Sequence, residues 1–135
     1  MIIVTDTNVL VSGLIKAYST SAAIIRLILE GKIKLAYDLR IINEYRDVLD
    51  RNKFRFSSEQ VEVILKQITE EGININAAPL KESLPDIDDN LFLEVAITGS
   101  VKFLVAGNKK HFPQEICKGV KILSPSEFIN LFSLK

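Results

Sequence analysis

Short β-branched runs alternate along the chain with longer stretches of helical period. Ile2–Thr5 is a continuous apolar run that stops at Asp6, the pattern of a strand buried on both faces. Thr7-Asn8 and a second apolar run, Val9-Leu10-Val11, come next. Ser19 to Glu30 holds Ala22, Ala23, Ile24, Ile25, Leu27, Ile28 and Leu29 and meets Gly31, which predicts a helix with a glycine stop. That helix is apolar on nearly every side, so it is either sandwiched inside the domain or half covered by a partner chain. Lys34–Tyr37 predicts a second strand. Arg40 to Arg51 predicts a helix with Ile41, Tyr45 and Val48 on one stripe and Ile42 and Leu49 beside it. Ser57 or Ser58 caps the next helix, where Val61, Ile64, Leu65 and Ile68 follow the 3.6 period and Gly72 ends it.

The rest of the chain continues the alternation. Ile73–Asn76 is a weak third strand, and Ala77 to Asp89, with Pro79 and Pro85, is a loop. Leu91 to Thr98 is a helix closed by Gly99, Lys102–Val105 a fourth strand, Lys121–Leu123 a fifth, and Ser126 to Leu131 a terminal helix. Strands separated by helices require crossover connections, and those connections favour a parallel sheet. The expected fold is a three-layer α/β/α domain with a central parallel sheet of about five strands, spanning 1–135 without repeat or linker.

Composition changes this picture little. Hydrophobic residues are 47% and charged residues 25%, values of an ordinary globular domain. The single cysteine, Cys117, has no internal partner, which fits a reducing cytoplasm. The apolar start lacks a positive n-region and is broken by Asp6 and Asn8, so no signal peptide is expected, and no membrane span either. Lys plus Arg and Asp plus Glu balance at 17 each, which excludes a basic field over the whole molecule. Contact with nucleic acid must then be local, through a metal site and a few lysines.

The candidate chemistry is acidic. Ligand sites of open α/β sheets lie beyond the carboxyl ends of the strands, where strand order reverses. Asp6 follows the first strand. It reads equally as a helix cap or as a carboxylate held for a cation. Glu44 lies on or beside the apolar stripe of its helix, where burial is costly unless it is ion-paired, to Arg40 or Arg46, or metal-bound. Asp86, Asp88 and Asp89 crowd the start of a helix, where one or two acids are expected and three repel. Asp89 is placed in the first turn, and Asp86 and Asp88 read as loop or cap residues. At ~4 Å two carboxylates repel by about 4 kcal/mol at an effective dielectric near 20. Three gathered carboxylates therefore keep protons or recruit a hard cation, and oxygen ligands select Mg²⁺ or Mn²⁺. The lone His111, in the short segment KKHFP, reads as a structural residue of a turn. Lys109 and Lys110 read either as phosphate contacts or as a solvated pair.

Four segments, TDTNVLVSGL, NEYRDVL, PDIDDNLFLEVA and FLVAGNKKHF, resemble in order and spacing the acidic motifs of PIN-domain ribonucleases. The nearest likeness is to the VapC-like branch, the toxin components of toxin–antitoxin pairs, and it covers nearly the whole chain. The resemblance implies a nuclease of single-stranded RNA using Mg²⁺ or Mn²⁺, often a homodimer and often inhibited by a small antitoxin. It implies Asp6, Glu44 and Asp89 as metal ligands and Asn8 as a polar neighbour that orients the first of them or its water. Asn108 stands as a site residue where many members have an aspartate: its amide oxygen can still ligate a hard cation or position a metal-bound water, but the site has one negative charge fewer and weaker metal binding is expected without substrate. A PIN-like fold that has lost catalysis and persists as a dimeric binding or regulatory module is the alternative. A phospho-accepting receiver domain shares the length and architecture but needs paired acids after the first strand, and only Asp6 is there.

Overall fold

The computed structural model describes residues 1–134. Five strands form one parallel sheet in the order β3-β2-β1-β4-β5. They are β1 (Ile2–Thr5), β2 (Lys34–Tyr37), β3 (Ile73–Asn74), β4 (Phe103–Val105) and β5 (Lys121–Leu123). The helices are α1 (Thr7–Ile15), α2 (Thr20–Leu29), α3 (Leu39–Leu49), α4 (Ser58–Glu71), α5 (Asn90–Thr98) and α6 (Pro125–Ser133). The expected α/β architecture is therefore the observed one. Ile3 and Val4 point to opposite faces of β1 and are both fully buried, so helices cover both sides of the sheet.

Strand order reverses between β1 and β4. The chain moves outward from β1 through β2 to β3, then returns to lay β4 on the other side of β1. The crevice between the carboxyl ends of β1 and β4 is the place where loops from both halves diverge. Asp6 enters that crevice directly, its own N–H still paired to the Val105 carbonyl at 3.0 Å.

Three elements differ from their sequence expectation. The run after Asp6 is a helix, α1, whose apolar residues surround its axis and leave no readable period. The third strand has shrunk to two exposed residues. The last helix begins earlier, at Pro125, because Ser124 and Glu127 form a capping box with proline in the first turn.

Helix α2 packs against α1, α4 and α6 of its own chain, burying Ala22, Ile24, Ile25 and Ile28. Most of its apolar surface is thus covered within the chain, with Leu29 left exposed, so its composition alone no longer argues for a homodimer. Among the described residues no single helix is long and apolar enough to cross a membrane. Helices α1 and α2 together approach that composition but meet at 101°.

Candidate active site

Asp6 is the helix cap that its position allowed, and both of its carboxylate oxygens are held by backbone N–H groups. As the N-cap of α1 its Oδ1 accepts the Val9 N–H at 3.2 Å. Its Oδ2 accepts the Gly107 N–H, from the loop after β4, at 3.1 Å. A side chain at Gly107 would press on Asn8 Cβ, so glycine lets the two loops approach closely enough for this bond. The carboxylate is 5% exposed. Burial pushes its pKa up to about 6, the two backbone N–H groups and His111 oppose that, and the nearby Asp89 charge adds to it.

Glu44 is brought in by α3. The next residue, Tyr45, is fully buried and donates from its hydroxyl to the Thr5 carbonyl at 2.6 Å, which pins α3 to the end of β1. Glu44 then faces α1, and Thr7 Oγ1 donates to its Oε2 at 3.2 Å. The expected arginine partners are engaged elsewhere. Arg40 binds Asp38 and Glu94, each at 2.7 Å, and Arg46 binds Glu62 at 3.1 Å. No described ion pair includes Glu44, so the ion-paired explanation of this residue falls away. Glu94 is itself buried and also accepts the Leu80 N–H at 3.0 Å, so it ties α3, α5 and the proline-rich loop together beside the site.

Asp89 stands at the N-cap position of α5, yet its backbone is helical and its side chain makes no cap bond. Capping at this end falls to Asp86, whose Oδ1 accepts the Asp88 N–H at 2.9 Å in the short turn Ile87–Asp89. Asp89 Oδ2 is shielded from solvent and has no aligned donor. His111 Nδ1 lies 3.3 Å from it, within ion-pair range but off the hydrogen-bond direction. Burial raises the Asp89 pKa, with His111 opposing and the charges of Asp86, Asp88 and Glu44 adding to the rise.

Asp6, Glu44 and Asp89 share with Thr7, Asn8 and His111 the wall of a cavity of 210 Å³, onto which Asp86 and Asp88 also face. A wider cleft of 650 Å³ adjoins it at Glu44 and Asp88 and runs past Arg40 and Asn43. The three expected acids and Asn8 thus meet in one cavity. Among the described residues, however, no three acidic, His or Cys side chains close together tightly enough to form a ready-made metal cluster.

The remaining expected residues are placed differently. Asn108 is exposed and absent from the cavity wall, and its Oδ1 accepts the Lys110 N–H at 3.1 Å, capping the turn Lys109–His111. Lys109 is tied to Glu127 of α6 at 2.9 Å. Lys110 is exposed and enters none of the described ion pairs. His111, read from sequence as structural, is the residue that this turn brings to the cavity. Only its being the chain's sole histidine marked it out.

The chain is thus a three-layer α/β domain with an acidic cavity at the point where strand order reverses. Residues 2–110 match the PIN domain family, and the chain belongs to it. PIN domains are generally nucleases. No curated protein and no solved structure matches the chain.

Proposed function

We propose that this PIN domain is a metal-dependent endoribonuclease acting on single-stranded RNA, with Mg²⁺ or Mn²⁺ held among Asp6, Glu44 and Asp89. The observation that carries the reading is Asp89 Oδ2, a shielded carboxylate oxygen without a donor, in a cavity shared with two further carboxylates. A buried acceptor left unmatched costs about 1–3 kcal/mol, and a cation removes that cost along with the mutual repulsion of the three acids. The donor set is all oxygen, which fits a hard cation. Sharing one ion requires the three side chains to draw together.

Such a cation supplies a Lewis acid for a phosphoryl oxygen and offsets the negative charge of the transition state. The chain's own groups supply orientation. Val9 and Gly107 N–H groups hold the two oxygens of Asp6, and Thr7 fixes one oxygen of Glu44. Asn8, exposed on the cavity wall, offers an amide to a ligand entering from solvent. Lys110, exposed in the turn after β4, is a candidate phosphate contact.

Purified protein with Mn²⁺ should cleave a fluorogenic single-stranded RNA. Asp6→Asn, Glu44→Gln and Asp89→Asn should each lower the rate by at least about a hundredfold, the scale of removing a group that acts in the transition state. Equal cleavage by wild type and all three variants would mean that the activity comes from a contaminant. The open spacing of the acids and the capping role of Asn108 favour a second reading, a binding module without catalysis. Calorimetry with Mn²⁺ and a nucleotide separates them, because the module takes up no ion. The toxin role is part of the first reading and predicts that a small antitoxin co-purifies when expressed with the chain and suppresses its cleavage.

A further inference from the structure

His111 is the cavity group that the proposed reaction leaves unused, and a local construction holds it in place. Asn108 caps the turn Lys109–His111 through its side-chain oxygen. Lys109 Nζ grips both oxygens of Glu127, at 2.9 and 3.2 Å, and that glutamate is itself fixed by the capping box of α6. Phe112, the next residue, is buried in the core. Three anchors therefore flank one imidazole, and its Nδ1 stands 3.3 Å from Asp89 Oδ2.

Asp6, which is buried, and Asp89, which is half-buried, are held unequally. Asp6 has a backbone N–H on each oxygen. Asp89 neither caps its helix nor has an aligned donor on Oδ2. A carboxylate is free to turn about its last torsion unless something holds it, so the ring facing it is the available restraint. Hydrogen bonds in an unliganded site are often long or poorly aligned and tighten when the ligand binds.

We propose that His111 is a positioning residue of the acidic cavity, donating from Nδ1–H to Asp89 Oδ2 and so fixing the plane of that carboxylate. The donation sets the ring's tautomer and leaves Nε2 as its acceptor. Asn108 and Lys109, expected from sequence to act on metal or substrate, serve instead to build the turn that presents His111. The proposal rests on the cavity being a cation site only where cation affinity is concerned; the hydrogen bond itself requires no cation, only a turn of the ring that aligns Nδ1–H with Oδ2.

Two measurements separate these parts. The chain has one histidine, so nitrogen-15 spectra of the metal-free protein contain a single imidazole. At alkaline pH Nδ1 should carry the proton, and Asp89→Ala, which removes the acceptor, should return the ring to the Nε2–H form favoured in water. A wild-type ring protonated only at Nε2 overturns the proposal. The second measurement is calorimetric titration with Mn²⁺. His111→Ala and His111→Gln should weaken binding about tenfold, the low end for loss of a group that orients a ligand. His111→Asn, whose amide N–H takes the place of Nδ1–H, should bind as wild type does. Equal affinity in wild type and His111→Ala overturns the positioning role. If wild type takes up no Mn²⁺ while Nδ1 is protonated, the cation site fails and the His111–Asp89 bond stands.

Discussion

Replacing Asp6 with asparagine should make the metal-free protein more stable at neutral pH. Burial pushes this carboxyl from 3.8 up to about 6, so the folded chain holds its proton more tightly than the unfolded chain does. The protonated side chain contributes stability that is fully present below 3.8, is lost as pH rises through about 6, and stays lost above it. At about 1.36 kcal/mol per tenfold change in proton affinity, the ionised carboxylate costs the fold roughly 3 kcal/mol at neutral pH. Asparagine carries no such charge. Its oxygen can still cap Val9, a task asparagine and aspartate perform about equally. It forfeits the bond from Gly107, because its second polar atom donates and cannot accept, a loss of about 1 kcal/mol.

The net gain is then about 2 kcal/mol. With an unfolding entropy near 2.1 cal/mol/K per residue over 135 residues, this corresponds to a rise in Tm of roughly 7 °C. Circular-dichroism melts of both proteins in chelator provide the assay. Asp6→Asn should melt higher at neutral pH, and the advantage should disappear below pH 3.8, where the wild-type carboxyl is protonated in both states. A variant that melts at or below wild type at neutral pH would show that desolvation is not the dominant influence on Asp6. Stability gained together with lost cleavage would be the pattern of a site whose acids are held against their own interest.

Other perturbations test the packing around the site. Gly13→Ala should destabilise by about 1–3 kcal/mol despite alanine's better helix propensity, because the new methyl meets the Ser21 carbonyl oxygen at 2.8 Å where α1 crosses α2. A denaturant midpoint at or above wild type would show that these helices separate freely. Glu94→Ala should cost on the order of 2 kcal/mol by freeing Arg40 and leaving the Leu80 N–H unmatched, and Glu94→Gln should recover part of the loss. Equal stability of all three proteins would remove the tie from the account. The Cys117 thiol, fully buried and pushed up to about 11, should resist alkylation in the native protein at neutral pH and react once the chain is unfolded. Rapid stoichiometric labelling of native protein would show that the segment around it opens.

Much of this protein is legible along the chain because its signals are short-range. Ile2–Thr5 and Lys121–Leu123 read as buried strands from runs of branched residues, and Gly31, with φ +73°, marks a helix end through local backbone preference. The alternation of these elements dictates a parallel sheet, and Asp6, Glu44 and Asp89 could be placed near its crevice by counting from the elements that carry them. The choice among partners is not local. Arg40 stands one helical turn before Glu44, yet it binds Asp38 beside it and Glu94, 54 positions away, because α5 packs beside α3. Whether α2 is covered by its own chain or by another depended on where α1, α4 and α6 lie. Asn108 and His111 are three residues apart, and only the capped turn between them decides which faces the acids. Composition and period determine which elements form and which residues are apolar enough to be buried. Which polar side chain meets which is settled by the packing of those elements, since a hydrogen bond requires a few tenths of an ångström that no pattern along the chain encodes.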